Sequence, residues 1–350
     1  MKIALLNLAN NVTGYKTTPS GETLYMASAL RDMGYEVDVI SNKPSDDVVS
    51  FDQVTDINYY DHLLVIGGAI NFFGGKESPT IINNYKLMAQ YKGTINYLLT
   101  DIRLTFNQLW PAISGRGWGY EKEEVWITSP VNIISQGYDL ETIRKVHSKV
   151  EADISYVYFP LERYKIYAKD FKISGRTEKT SDLIYGGSFR GGAREEKMVN
   201  FLFDQFGFDV EFYGNAKASQ FKNKKFPWTE HPRFTGKVPM SDVQAKNDSG
   251  LTTLVIGDKL YNDNFITLRV WETMSSDAIM LIDEEFDSAH RIIGDSRFYF
   301  RTKKELADKI QAIKDDPTLQ FAMKKNQHAR LAEVVADKDE WQKAFIAAIA

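Results

Sequence analysis

Four stretches of this 350-residue sequence carry side chains whose types and spacing could do chemistry. An apolar run over residues 94–99 leads straight into Thr100-Asp101-Ile102-Arg103, which sets a carboxylate just beyond a strand-like segment. A carboxylate there can take a proton from an acceptor as a general base, or it can cap a helix or turn; position alone leaves both open. A second stretch, Gly186-Gly187-Ser188-Phe189-Arg190-Gly191-Gly192-Ala193-Arg194, follows the apolar Leu183-Ile184-Tyr185 and enters a helical pattern. Glycines let a backbone approach a phosphate, a helix start offers free N–H groups, and arginines add bidentate charge, so this loop reads as an anion site. It is neither Gly-x-Gly-x-x-Gly nor a P-loop, because no Lys-Ser/Thr pair follows the glycines. The alternative, a plain strand-to-helix turn, leaves unexplained why Arg190 and Arg194 stand at a helix start, where they oppose the dipole.

The third stretch runs from Gly257 to Glu272, a polar loop containing Tyr261 and then a helical pattern with Arg269 and Glu272 three apart on one face. A cation for phosphate and a carboxylate for ribose hydroxyls suit a nucleotide-sugar site; a solvated salt bridge is the other reading. The fourth lies between Gly214 and Met240, where Lys217, Lys222, Lys224, Lys225, Arg233 and Lys237 face the single acid Glu230, with Phe221, Phe226 and Trp228 interleaved. Cations with aromatic surfaces suit nucleic acid, although an exposed basic loop explains such a run as well. Phe72 and Phe73, on the glycine-hinged Asn71-Phe72-Phe73-Gly74-Gly75-Lys76, could wedge a duplex or pack beneath their own loop.

Elements must hold these groups in place. Short apolar runs over 2–8, 36–40, 63–66, 94–99, 131–135 and 156–159 alternate with amphipathic segments over 23–33, 81–91 and 140–150. After a polar stretch the pattern resumes, with strands over 183–185, 210–213, 251–256, 279–282 and 298–300 and helices over 193–205 and 264–275. Two strand–helix series predict an α/β chain of two Rossmann-like domains with a linker near 170–181, and the default site is the cleft between them. Thr302-Lys303-Lys304-Glu305 fits a capping box opening a helix to Ile313, and Trp341, Phe345 and Ile349, spaced by four, predict a C-terminal helix docked on a core.

Composition narrows the function. The formal charge of −4 removes the usual argument for a nucleic-acid binder, so any polyanion site must be local. The absence of cysteine excludes disulfides, a thiolate nucleophile and Cys-ligated metal, and the histidines 62, 147, 231, 290 and 328 form no short-range ligand pair. No signal peptide and no run of about 18 apolar residues is evident, so a soluble intracellular protein is expected.

Residues 71–76, Leu99-Thr100-Asp101-Ile102-Arg103-Leu104, Ile184 through Arg190, Phe221-Lys222-Asn223 and the run from Tyr261 through Glu272 to Phe286 resemble the T-even bacteriophage DNA β-glucosyltransferases, and the resemblance extends from Met1 to the Trp341 segment. It implies a GT-B fold: residues 1–170 as the acceptor-side domain with the catalytic base, 171–335 as the UDP-glucose domain, and 336–350 as a helix returning to the first. The implied reaction moves glucose from UDP-glucose to 5-hydroxymethylcytosine in double-stranded DNA with inversion. By the resemblance Asp101 is the base and Glu22 a sugar-side acid. Gly187, Ser188, Arg190, Arg194, Val238, Tyr261, Arg269 and Glu272 form the UDP site, the arginines on the diphosphate and Glu272 on the ribose. Phe72, Phe73, Lys76, Arg103, Lys222, Lys224 and Lys225 are the candidate DNA contacts. A divalent cation, Mg or Mn, is expected on the diphosphate and not in a protein cage, since no Asp-x-Asp motif stands at the expected place. A monomer in the cytoplasm of the infected bacterium, with no membrane partner, is expected, as is protection of phage DNA from restriction. The rival readings are a GT-B enzyme with a non-DNA acceptor, a UDP-sugar epimerase or hydrolase, and a non-catalytic DNA-binding module.

Overall fold

Strand β1 (Lys2–Asn7) shows how the first half is built. Its alternate side chains enter two cores: Ile3 and Leu5 join one, Ala4 and Leu6 the other. A strand buried on both faces reads as a continuous apolar run, which is why such strands are visible in the sequence. The structure, a computed structural model, describes residues 1–7, 21–41, 48–67, 79–99, 113–114, 117–120, 125–135, 137, 140–141, 144, 152–156, 179–188, 193–202, 207–215, 233–239, 242–257, 259, 261–336 and 338–350. Contacts divide the chain into two units, Met1–Arg163 with Asp337–Ala350, and Tyr164–Ala336.

In the first unit, α1 (Gly21–Asp32), β2 (Glu36–Ser41), β3 (Val48–Ser50), β4 (His62–Gly67), α2 (Pro79–Gln90) and β5 (Ile95–Leu99) follow β1. Then come β6 (Ile113–Ser114), β7 (Gly117–Tyr120), β8 (Val125–Trp126), β9 (Val131–Ser135) and β10 (Ala152–Tyr156). Seven strands pair in the order β10-β9-β5-β4-β1-β2-β3, all parallel. Met26, Ala27, Ala29 and Leu30 of α1 cover one face, and Tyr85, Leu87 and Met88 of α2 cover the other. The strand predicted at 156–159 is instead β10, in register with β9 from Ala152 opposite Val131 to Tyr156 opposite Ser135. As an edge strand it has one neighbour, so the alternation of exposed Asp153 with inward Ile154 suffices where a solid apolar run was sought. β6, β7 and β8 form a small antiparallel sheet where no strand was predicted, each too short to show a period.

The second unit contains β11 (Ser181–Ser188), α3 (Ala193–Leu202), β12 (Val210–Asn215), α4 (Val243–Asp248), β13 (Gly250–Val255), α5 (Leu268–Met274), β14 (Ile279–Asp283), β15 (Tyr299–Phe300), α6 (Lys303–Asp315) and α7 (Pro317–Ala336). Its five parallel strands run in the order β12-β11-β13-β14-β15, which reverses direction between β11 and β13. The helix predicted from 264 starts only at Leu268. The N–H groups of Asn264 and Phe265 both donate to the Tyr261 carbonyl, and Asp263 sits at φ +54°, a left-handed conformation that no helix continues. At α6 the Thr302 hydroxyl accepts from the Glu305 N–H, as a capping box requires, but the Glu305 carboxylate accepts from Arg301 N–H at 2.7 Å instead of from Thr302.

The last helix, α8 (Lys338–Ile349), belongs to the first unit, where Phe345 and Ile349 sit in the α1-side core. Its final carbonyls are met by two asparagines on adjacent strands: Asn96 donates to Ile349 O and Asn132 to Ala348 O, while Asn132 also donates to Asn96 at 2.9 Å. Among the described residues, no helix is long and apolar enough to cross a membrane.

Candidate functional site

In an open parallel sheet, ligands bind beyond the carboxyl ends of strands where the strand order reverses. In the second unit that point lies between β11 and β13, and β11 ends in Gly186-Gly187-Ser188. Both glycines leave room for side chains that approach them. A Cβ on Gly186 would collide with the Tyr213 ring, and a Cβ on Gly187 would lie 2.8 Å from Cζ of the Arg269 guanidinium. The guanidinium thus reaches across from α5 to the β11 backbone, with Cζ 5.3 Å from the centre of the Tyr185 ring, within cation–π range. Beneath it the Tyr213 hydroxyl donates to Asn247 Oδ1 at 2.7 Å. Burial pushes the Tyr213 phenol up to about 12, with Arg269 pulling the other way and Glu272 adding to the rise, so both charges of α5 act at this point.

Two sets of bonds hold α5. Gln327 of α7 is fully buried; its amide donates to Met274 O and Ala278 O, each at 3.1 Å, and its carbonyl accepts from Met280 N–H at 2.8 Å, tying the end of α5 to the start of β14. Ahead of α5, Asp263 accepts from Ser288 N–H at 2.7 Å and Ser288 Oγ at 2.6 Å, and its own N–H donates to Phe286 O. The Arg291 guanidinium donates to its carbonyl. These bonds keep a non-glycine residue in the left-handed region, a local cost the surroundings must overcome. Tyr261, at the head of the turn, is buried against Phe265.

Of the residues singled out in the sequence, the structure brings Gly187, Arg269 and Glu272 to one place. Val238 lies two residues past Gly236, whose carbonyl accepts from Gly214 N–H at 2.8 Å, and it lines an open cavity of about 680 Å³ with Thr180, Glu211, Lys237 and Lys246. Ser188 ends β11, Arg194 is the second residue of α3 and Glu22 the second of α1; their side chains lie outside the described residues. Asp101, Phe72, Phe73, Lys76, Arg103, Arg190, Lys222, Lys224 and Lys225 also lie outside them; β5 ends at Leu99, two positions before Asp101. Sequence reasoning missed Tyr213, Asn247, Asp263 as a clamp, and Gln327. Only Asp263 carried a signal, in the polar run 262–264 after an apolar strand. Among the described residues, no three His, Asp or Glu side chains gather where they could hold a metal ion.

Two parallel α/β units in one chain, the second with a guanidinium over glycine backbone at its switch point, are an architecture shared by glycosyltransferases of the GT-B class, and comparison with known proteins shows that class. Residues 1–165 match the family model of bacteriophage T4 beta-glucosyltransferase, and residues 194–336 match a glycosyl transferase-like model. The DNA beta-glucosyltransferase of Enterobacteria phage T4 is 53% identical over 100% of this chain and 99% of its own length. A crystal structure of the T4 phage enzyme in complex with its UDP-glucose substrate is 51% identical, with a TM-score of 0.83 over 100% of this chain and 99% of that one. The T4 phage enzyme in complex with UDP and Mn2+ has the same identity, TM-score and coverage. The chain belongs to the bacteriophage T4 beta-glucosyltransferase family.

Proposed function

We propose that this protein transfers glucose from UDP-glucose to the hydroxymethyl oxygen of 5-hydroxymethylcytosine in double-stranded DNA, with inversion. The observation that carries the donor half is the approach of Arg269 to the Gly187 backbone beside Glu272: a cation over half-buried glycine backbone for a diphosphate, with a carboxylate at hand for ribose hydroxyls. Full-length identity of 53% to an enzyme named for DNA supports the acceptor half.

An alcohol is a poor nucleophile at neutral pH, so Asp101 takes its proton as it attacks the anomeric carbon from the face opposite UDP, and one displacement inverts that centre. Charge builds on the leaving diphosphate, where Arg190, Arg194 and Arg269 stabilise the transition state more than the ground state. Glu272 holds the ribose, Val238 the uracil through its backbone, Ser188 and Tyr261 complete the donor site, and Glu22 faces the sugar. The group that lies over Gly187 is the Arg269 guanidinium, a cationic donor, so this point fits a diphosphate and not a bare cation. When bound, a divalent Mg or Mn ion would sit on the diphosphate oxygens and neutralise part of their charge. A base inside a duplex cannot reach such a site, so the modified cytosine is flipped out, with Phe72 and Phe73 as wedge and Lys76, Arg103, Lys222, Lys224 and Lys225 on the phosphates. The protein acts as a monomer in the cytoplasm of the infected bacterium, and its product resists host restriction.

The test mixes the protein with radiolabelled UDP-glucose and magnesium and compares duplex DNA bearing 5-hydroxymethylcytosine with the same duplex bearing cytosine. Label on the first duplex alone is expected. Turnover without DNA would point to another acceptor or to an epimerase or hydrolase. No turnover and no UDP binding would leave a DNA-binding module.

A further inference from the structure

Arg269 presents a cation over the Gly187 backbone, and what holds its guanidinium there decides how readily it meets a ligand. A long side chain that is loose in the free protein must be ordered when the ligand arrives, and that ordering weakens binding. Other arginines of the second unit are ordered by acids: Arg233 by Asp209, Arg291 by Asp263 and Asp287, Arg297 by Asp295, Arg301 by Glu284 and Arg330 by Glu333. Among the described residues, the Arg269 guanidinium forms no ion pair and donates no hydrogen bond.

What it meets is the ring of Tyr185, whose centre lies 5.3 Å from Cζ. Tyr185 is fully buried in β11, two residues before Gly187, and residues two apart on a strand share a face. The guanidinium therefore lies along one face of β11, over the ring at 185 and in the space that a Cβ would fill at 187. An aromatic face attracts a guanidinium electrostatically and offers it no oxygen, and the attraction grows as water is excluded. A carboxylate in the same place would hold the side chain too, but it would cancel the charge and accept the bidentate bonds that a phosphate needs.

We propose that Tyr185 is a positioning residue whose ring holds Arg269 over Gly187 before the ligand arrives, so that the guanidinium meets the diphosphate already placed and with its donors free. The inference rests on the donor-site reading above. Without the ring, the guanidinium loses its hold on β11, and part of the binding energy goes into ordering it.

Calorimetry with UDP and with uridine, which lacks the diphosphate, tests this in the full-length protein. Tyr185→Leu, which removes the ring, is expected to bind UDP about fivefold to tenfold more weakly and uridine within about twofold of wild type. Tyr185→Phe, which keeps the ring, is expected to bind both within about twofold of wild type. In an Arg269→Ala background, Tyr185→Leu is expected to change UDP affinity by less than about twofold, since a residue that acts through Arg269 then has nothing to act on. If Tyr185→Leu does not fold, phenylalanines bearing one, two and three ring fluorines at position 185 replace it. They keep the shape of the ring while draining negative charge from its face, and UDP affinity should fall step by step. Wild-type UDP affinity in Tyr185→Leu, an equal loss for uridine, an equal loss in the Arg269→Ala background, Tyr185→Phe as weak as Tyr185→Leu, or a flat fluorine series would each overturn the proposal. Failure of the wild type to bind UDP would instead count against the donor-site reading.

Discussion

In the first unit the buried polar side chains among the described residues are Thr23, Ser41, Ser50, Asn84, Asn96 and Ser135, all neutral, whereas in the second they include Glu211, Asp277, Asp283, Asp287 and Lys324. A neutral polar group is satisfied by a hydrogen bond or two. A buried charge needs an opposite charge held in place, and leaving it alone costs several kcal/mol. The second unit meets that demand with pairs: Asp277 lies 2.7 Å from Lys179 and 3.1 Å from Lys324, Asp283 lies 2.7 Å from Lys197, and Glu211 bonds Lys246. The difference follows the division of labour proposed for them. A unit that must hold a diphosphate has to present cations at fixed points, and cations stay fixed when the charges around them are already committed. A unit that supplies one proton acceptor can be built from apolar layers.

The comparison can be broken by substitution, and the largest effect should fall on chemistry in the first unit. Asp101→Ala should lower turnover by about two to four orders of magnitude, with UDP affinity unchanged by calorimetry. Loss of UDP binding in that variant would erase the division of labour. Next in size, Asp277→Ala strands Lys179 and Lys324 in the interior of the second unit and should cost about 3–5 kcal/mol in denaturant unfolding. Asn96→Ala in the first unit should cost only about 1 kcal/mol by the same measurement. Equal costs would mean that the charged interior is not what distinguishes the two units.

The charged interior should also make the second unit sensitive to acid. Burial lowers the pKa of His328 from 6.5 to about 4, with Lys324 pushing the same way and Asp277 and the Ser276 carbonyl opposing it. Because the folded value lies below the unfolded one, the stability tied to the neutral ring is complete above pH 6.5 and is lost as pH falls toward 4. The loss should reach about 3 kcal/mol and should disappear in His328→Gln, as followed by unfolding at a series of pH values. Arg269→Ala should weaken UDP binding about tenfold to a hundredfold, the usual worth of a hydrogen bond to a charged group. Smallest of all, Lys304→Ala on α6 removes an ion pair to Asp308 whose members are 81% and 62% exposed, and should change stability by less than about 0.5 kcal/mol.

Much of the fold was legible because parallel strands buried on both faces must be apolar throughout. That rule exposes β1, β4, β5 and β9 in the first unit and β11, β13 and β14 in the second, while β2, with exposed Glu36 and Asp38, and the edge strand β12, with Glu211, show instead through their valine, isoleucine and aromatic residues. It fails where its premise fails. β10 lies at an edge and alternates, β6 to β8 are too short for a period, and the start of α5 is delayed by Asp263 in a conformation that no pattern of hydrophobicity encodes. At the site, glycines and arginines announced an anion by type. The partners that hold them, Tyr213 under Gly186, Gln327 behind α5 and Ser288 on Asp263, come from distant parts of the chain and look ordinary there.

By itself the sequence determined which groups are available: a carboxylate after a strand, glycines before a helix, a cation and an acid one turn apart, and enough apolar runs for two parallel sheets. Those are local properties, set by residue type and a spacing of two to four. Tertiary structure alone decided that Arg269 meets Gly187 across the switch point, that the stripe ending in Phe345 and Ile349 docks on the first unit, and that Asp283 and Glu285 share Lys197 while Glu284 pairs with Arg301. The reason is physical. Contacts between residues far apart in the chain depend on strand order and register, and those are chosen by the packing of the whole sheet, not by any one segment.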